Sequence, residues 1–175
     1  DEYGANTGHA NYDVMYAMAK GQTKDMNNGI VKFNFKHILS QVVFKAKTQY
    51  DNMQVDINMI KIHNVKMGGF FTLPATADGT GSWSDPADLP SEVSGLGKFT
   101  VVKDVNITVK SNTIATDIST TTPMLNRPQE LTAWKVSETA TKSKLEADNA
   151  KQCYLEIACK IRQSGAYLLG SASEY

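Results

Sequence analysis

Apolar and polar residues alternate along much of this chain with a period of two, the pattern of strands with one buried face. Val31, Phe33 and Phe35 alternate with Lys32, Asn34 and Lys36, which predicts a half-buried strand. After His37-Ile38-Leu39-Ser40, the run Val42-Val43-Phe44-Lys45-Ala46-Lys47 predicts a second strand or a bent continuation, and Asp51-Asn52 turns the chain. Next, Val55, Ile57 and Met59 share one parity while Ile60 and Ile62 take the other. A one-residue phase slip inside a strand is what a β-bulge produces. Phe70-Phe71-Thr72-Leu73 reads as a short strand stopped by Pro74. Phe99, Val101, Val105, Ile107 and Val109 share a parity, predicting one long strand or two short ones. Cys153 to Ile161 and Ala166-Tyr167-Leu168-Leu169 close the series.

The separators are turn-like. Residues 1 to 29 are polar and Gly/Asn-rich, interrupted by Tyr-Asp-Val-Met-Tyr-Ala-Met-Ala at 12–19, a short strand or one helical turn. Asn27-Asn28-Gly29 is a turn signal, because Asn and Gly tolerate positive φ. The expected division is an N-terminal extension or interdomain-linker remnant over 1–28 and a β-sandwich over 29–175. Residues 75–98 read as a long loop holding Trp83, and loops of that length are usually functional or disordered. Residues 111–122 are Thr/Ser-rich, and 137–152 predict a short helix or a loop. Six to eight strands without alternating helices argue for an all-β sandwich over a doubly wound sheet.

Composition narrows the function classes. With 175 residues the chain can bury a core without metal or disulfide. Its 18 basic and 18 acidic residues give zero formal charge, and nucleic-acid binding needs a basic face, so no such partner is expected. No apolar run is long enough to span a bilayer as a helix. The chain opens on Asp-Glu-Tyr-Gly, without initiator Met or signal-like segment, and so reads as a piece of a longer precursor. Cys153 and Cys159 share strand parity and would sit about 20 Å apart along a strand. They are beyond disulfide reach of each other and read as inert, buried hydrophobes.

Candidate chemistry is sparse. His9, His37 and His63 stand in no metal-ligand spacing, and no Gly-x-Ser-x-Gly elbow or phosphate-binding loop is present. Asp85 and Asp88 have calcium-like spacing without the rest of a binding loop. His37, Ser40 and Gln41 suit a bend between two strands. No catalytic, cofactor-binding or metal-binding residue is assigned, and no cofactor is expected. Trp83 alone is a candidate ligand contact, the competing reading being a lid folded over the core. Trp134 is expected to pack.

Phe33-Asn34-Phe35-Lys36-His37-Ile38-Leu39-Ser40-Gln41-Val42 resembles the Phe-x-His-x-Leu-Ser-x-Val signature of the Bacteroides-type fimbrillin-like proteins. Met124-Leu125-Asn126-Arg127-Pro128-Gln129 is similar to that family's aliphatic-x-x-Pro-Gln segment, with Arg127 where an apolar residue is usual. Tyr12-Asp13-Val14-Met15-Tyr16-Ala17, Tyr154-Leu155-Glu156-Ile157 and Tyr167-Leu168 follow in the family's order. The resemblance implies a transthyretin-like, Greek-key type β-sandwich of about seven strands, mainly the C-terminal domain of such a protein and lacking its final strands. It also implies a non-enzymatic structural or adhesive subunit of cell-surface fimbriae, made as an outer-membrane lipoprotein precursor and serving adhesion and biofilm formation. Its partners would be other fimbrial subunits, joined by strand addition, and host or bacterial surface receptors, with anchoring through a part of the precursor outside this chain. The alternative is a surface carbohydrate-binding module built around Trp83. A sandwich missing strands leaves an apolar stripe, Cys153, Leu155, Ile157, Cys159 and Ile161, in need of cover. A separate peptide, another chain's strand or the N-terminal tail is expected to supply it.

Overall fold

The computed structural model describes residues 2–4, 12–85, 96–119, 124–137 and 139–175. In chain order its strands are β1 (Glu2–Gly4), β2 (Met15–Tyr16), β3 (Lys36–His37), β4 (Ser40–Val42), β5 (Lys45–Ala46), β6 (Met53–Lys66) and β7 (Phe70–Thr72). There follow β8 (Ser82–Ser84), β9 (Leu96–Val102), β10 (Ile107–Val109), β11 (Thr116–Asp117), β12 (Met124–Asn126), β13 (Tyr154–Gln163) and β14 (Ala166–Leu169), and among the described residues one α-helix, α1 (Lys142–Asp148), precedes β13. The principal sheet has the order β1-β9-β6-β13-β14, antiparallel except for the parallel β1–β9 pair. The expected all-β sandwich forms, and several of its strands are broken into segments of two or three residues.

β6 organises the molecule. One edge carries β13 along its length, and the other carries first β10 and then β9. Asn58 is the extra residue where Ala158 faces Met59 and Cys159 faces Ile57, so the predicted bulge lies there. It lets Ile57 and Ile60, three apart, both enter the core. Asn64, at φ 59°, interrupts the pairing with β9 and does the same for Ile62 and Val65. The long-or-double strand resolves into two, β9 and β10, with Asp104 at φ 54° between them.

The second layer comes from β4 paired with β12 and β5 paired with β11. Val42, Phe44 and Ala46 point inward while Val43, Lys45 and Lys47 face out, as their alternation predicts. Ile118 and Met124 complete this side of the core, against Ile57, Ile60, Phe99 and Val102. The Phe44 carbonyl accepts from Ile118 N–H at 2.9 Å, and Phe44 N–H donates to Ser119 Oγ at 2.7 Å.

Two expectations need correction. Residues 31–35 form no strand, and Val31, Phe33 and Phe35 are exposed at 42%, 58% and 63%. Only Lys36 and His37 find a partner, in β2, and alternation cannot create a covering layer where none packs. The span 75–98 is not wholly loop: Ser82–Ser84 pairs with β7 as a hairpin and β9 begins at Leu96, while 86–95 lie outside the described residues. The octet at 12–19 contributes the strand β2, and the turn at 27–29 adopts left-handed φ values of 49°, 54° and 75°. The helix within 137–152 is α1, whose N-cap Thr141 hydroxyl accepts from Lys144 N–H at 3.4 Å.

Candidate functional site

β13 and β14 are joined by Ser164 and Gly165 at φ 48° and 86°, the doubly left-handed turn that matches strand twist in a hairpin. β14 ends the sheet: among the described residues it pairs only with β13. Directly opposed residues of antiparallel strands share a face. Leu155 opposes Ile62 and Ile157 opposes Ile60, so all four lie on the core side. Yet Ile60 and Ile62 are 4% and 7% exposed, whereas Leu155 and Ile157 are 46% and 48% exposed. The second layer therefore covers β6 and stops short of Leu155 and Ile157 on β13. Leu169 opposes Ile161, extends the same face and is 51% exposed.

The predicted stripe Cys153, Leu155, Ile157, Cys159 and Ile161 thus occupies one face, with its middle open. Cys153 and Cys159 are free thiols packed against the core and half-buried, not fully buried as expected. Burial pushes both thiols above their ordinary pKa. The described part of the N-terminal segment does not supply the cover. Its strand β1 lies at the opposite end of the sheet from β14.

Trp83 lies in β8, half-buried, outside the main core. Its indole N–H donates to the Ile38 carbonyl at 3.1 Å, and Phe71 meets it edge-on at 5.3 Å. The Arg127 guanidinium sits 5.7 Å from its ring. Arg127, 7% exposed, also donates to the Gly68 carbonyl at 2.7 Å and to Asp85. Asp85 accepts from Lys66 as well, and Lys66 first and Arg127 second hold its carboxyl below the usual range. The pair Asp85 and Asp88 is not seen together, because Asp88 lies outside the described residues.

His37 ends β3 at the predicted break before β4, and its Nδ1 meets Asp13 at 2.5 Å. His63 Nε2 meets Glu156 at 2.7 Å while its ring stacks on Tyr154 at 4.5 Å, and Trp134 packs against the same tyrosine. These carboxylate partners are 24 and 93 positions away in the chain, which is why spacing did not reveal them. His9 lies outside the described residues. Among the described residues no three His, Cys, Asp or Glu side chains gather as a metal site, and no helix is long and apolar enough to cross a membrane.

No curated protein and no solved structure matches the chain. A family model described as fimbrillin-like matches residues 1–171. With nearly the whole sequence covered, the chain belongs to the fimbrillin-like family.

Proposed function

We propose that the protein is a structural and adhesive subunit of cell-surface fimbriae that joins its neighbours by strand addition. The observation that carries this reading is an exposed core-side strip, Leu155 and Ile157 on the stretch of β13 that β14 does not pair and Leu169 on β14, bordered by edges that have no strand partner among the described residues. An added strand would gain backbone hydrogen bonds along β14 and along the edge of β13 before Ile161, and its alternate side chains would cover the strip. Burying the exposed half of each such side chain is worth about 1 kcal/mol. This role calls for no catalytic residue. Other fimbrial subunits are the partners in this reading, with surface receptors as further partners and anchoring to the outer membrane through another part of the precursor. Residues 1–28 would serve as an extension or linker remnant and 29–175 as the sandwich that receives the strand.

The test is electron microscopy of fibres made by the full-length protein, wild type beside a Leu155→Lys, Ile157→Lys double variant. The variant should fold and remain unassembled, since two ammonium groups would face the incoming strand. Fibres of normal length from the double variant would overturn the reading.

A further inference from the structure

A second feature, remote from the open edge in sequence, is a cavity of about 500 Å³ whose walls include Tyr16, Lys36, His37, Phe71, Gly81 and Trp83. That volume falls within the roughly 300–1,000 Å³ of small-molecule sites. Its aromatic side is built and held. Phe71 lies between Tyr16, at 5.5 Å, and Trp83, at 5.3 Å. Trp83 is fixed by its N–H bond to the Ile38 carbonyl. Position 81 must be glycine for this arrangement, because a Cβ there would collide with Cζ of Phe71.

The polar side is equally fixed. Lys36 Nζ donates to the carbonyls of Ala77 and Gly79 at 3.1 and 3.3 Å, which leaves one of its three N–H groups and its full charge for the cavity. No carboxylate is among the described lining residues, and Asp13, which meets the wall residue His37 at 2.5 Å, is outside that set, so the Lys36 charge makes the site favour an anion. Aromatic side chains and a held ammonium lining one cavity match a sugar ring, whose C–H face is apolar, bearing an acidic group. We propose that this cavity binds a carboxylated pyranose, with its ring against Phe71 and Trp83 and its carboxylate at Lys36. The inference stands apart from strand addition: it concerns what the subunit holds, not how subunits join.

The experiment titrates the whole chain with methyl glucuronide, methyl N-acetylneuraminate glycoside and neutral methyl glucoside, read by tryptophan fluorescence and saturation-transfer NMR. Saturable binding of at least one acidic sugar is expected, about tenfold tighter than the neutral glycoside, the change worth one charge-assisted hydrogen bond. Lys36→Gln should erase that preference, and Gly81→Ala should weaken binding of the acidic sugar by displacing Phe71, with circular dichroism confirming that both variants fold. The proposal is overturned if neither acidic sugar saturates the folded wild type, or if binding is unchanged in both variants.

Discussion

Asn58 and Val105 hold each other by two hydrogen bonds, one main-chain and one from the side chain. Val105 N–H donates to the Asn58 carbonyl at 3.2 Å, and Asn58 Nδ2 donates to the Val105 carbonyl at 3.1 Å. The bulged residue of β6 thus closes the gap left where β9 gives way to β10. Asn58→Ala would leave the Val105 carbonyl partly buried without that donor, at a cost of about 1–2 kcal/mol. Urea unfolding should show the loss as a lower midpoint with an unchanged slope.

The bulge was legible in the sequence because a phase slip is written into the order of Val55, Ile57, Met59, Ile60 and Ile62. The inward set of Val42, Phe44 and Ala46, and the shared face of Cys153 to Ile161, were legible for the same reason. Periodicity says which residues can share a face; it does not say whether anything lies over them. That is why Val31, Phe33 and Phe35 read as half-buried and are exposed, and why Leu155 and Ile157 differ from Ile60 and Ile62 across the same ladder. The cavity walls are contributed by positions as distant as Tyr16 and Trp83, so of these residues only Trp83 reads as a ligand contact in the sequence.

Asp56 makes stability fall in acid. Burial pushes its pKa up, but hydrogen bonds from Thr108, Gln54 and Arg162, with the Arg162 charge, outweigh burial and hold it below its ordinary 3.8. A carboxyl depressed in the folded state contributes stability above its unfolded value and loses it as pH falls through the folded one. The unfolding midpoint should therefore be insensitive to Asp56 from pH 7 to about 5 and decline through and below about pH 4. Asp56→Asn should flatten that acid limb while costing about 1–3 kcal/mol at neutral pH, because Arg162 loses its 2.7 Å partner.

Gly69 and Arg127 constrain each other. A Cβ at position 69 would strike Nη1 of Arg127 and press on the Ser84 carbonyl at 2.9 Å. Gly69→Ala should expel the guanidinium from its place beside Gly68, Asp85 and Trp83 and destabilise the fold by about 2 kcal/mol. Arg127→Met should remove the guanidinium's share of that penalty in the double variant and leave the share of the Ser84 carbonyl. A double-mutant cycle by thermal unfolding measures the coupling, and strictly additive effects would contradict the contact.

Cys153 and Cys159 should react slowly with a thiol reagent at neutral pH and quickly in urea. Their raised pKa values leave little thiolate in the folded state, and thiolate is the reacting form. Cys159→Ala should cost about 1 kcal/mol, the size of a small deletion at a half-buried site. Labelling rates in native buffer equal to those in urea would show both thiols open.

The central claim is that a neighbour's strand lies along β14 in the assembled fibre, and hydrogen–deuterium exchange of Ala166–Leu169 tests it most directly. In the isolated chain the outward amides of β14 have no ladder partner among the described residues and should exchange within seconds to minutes. In fibres of the full-length protein the same amides should be protected by orders of magnitude, together with Leu155 and Ile157 of the covered strip. Equal exchange of Ala166–Leu169 in monomer and fibre would contradict the account.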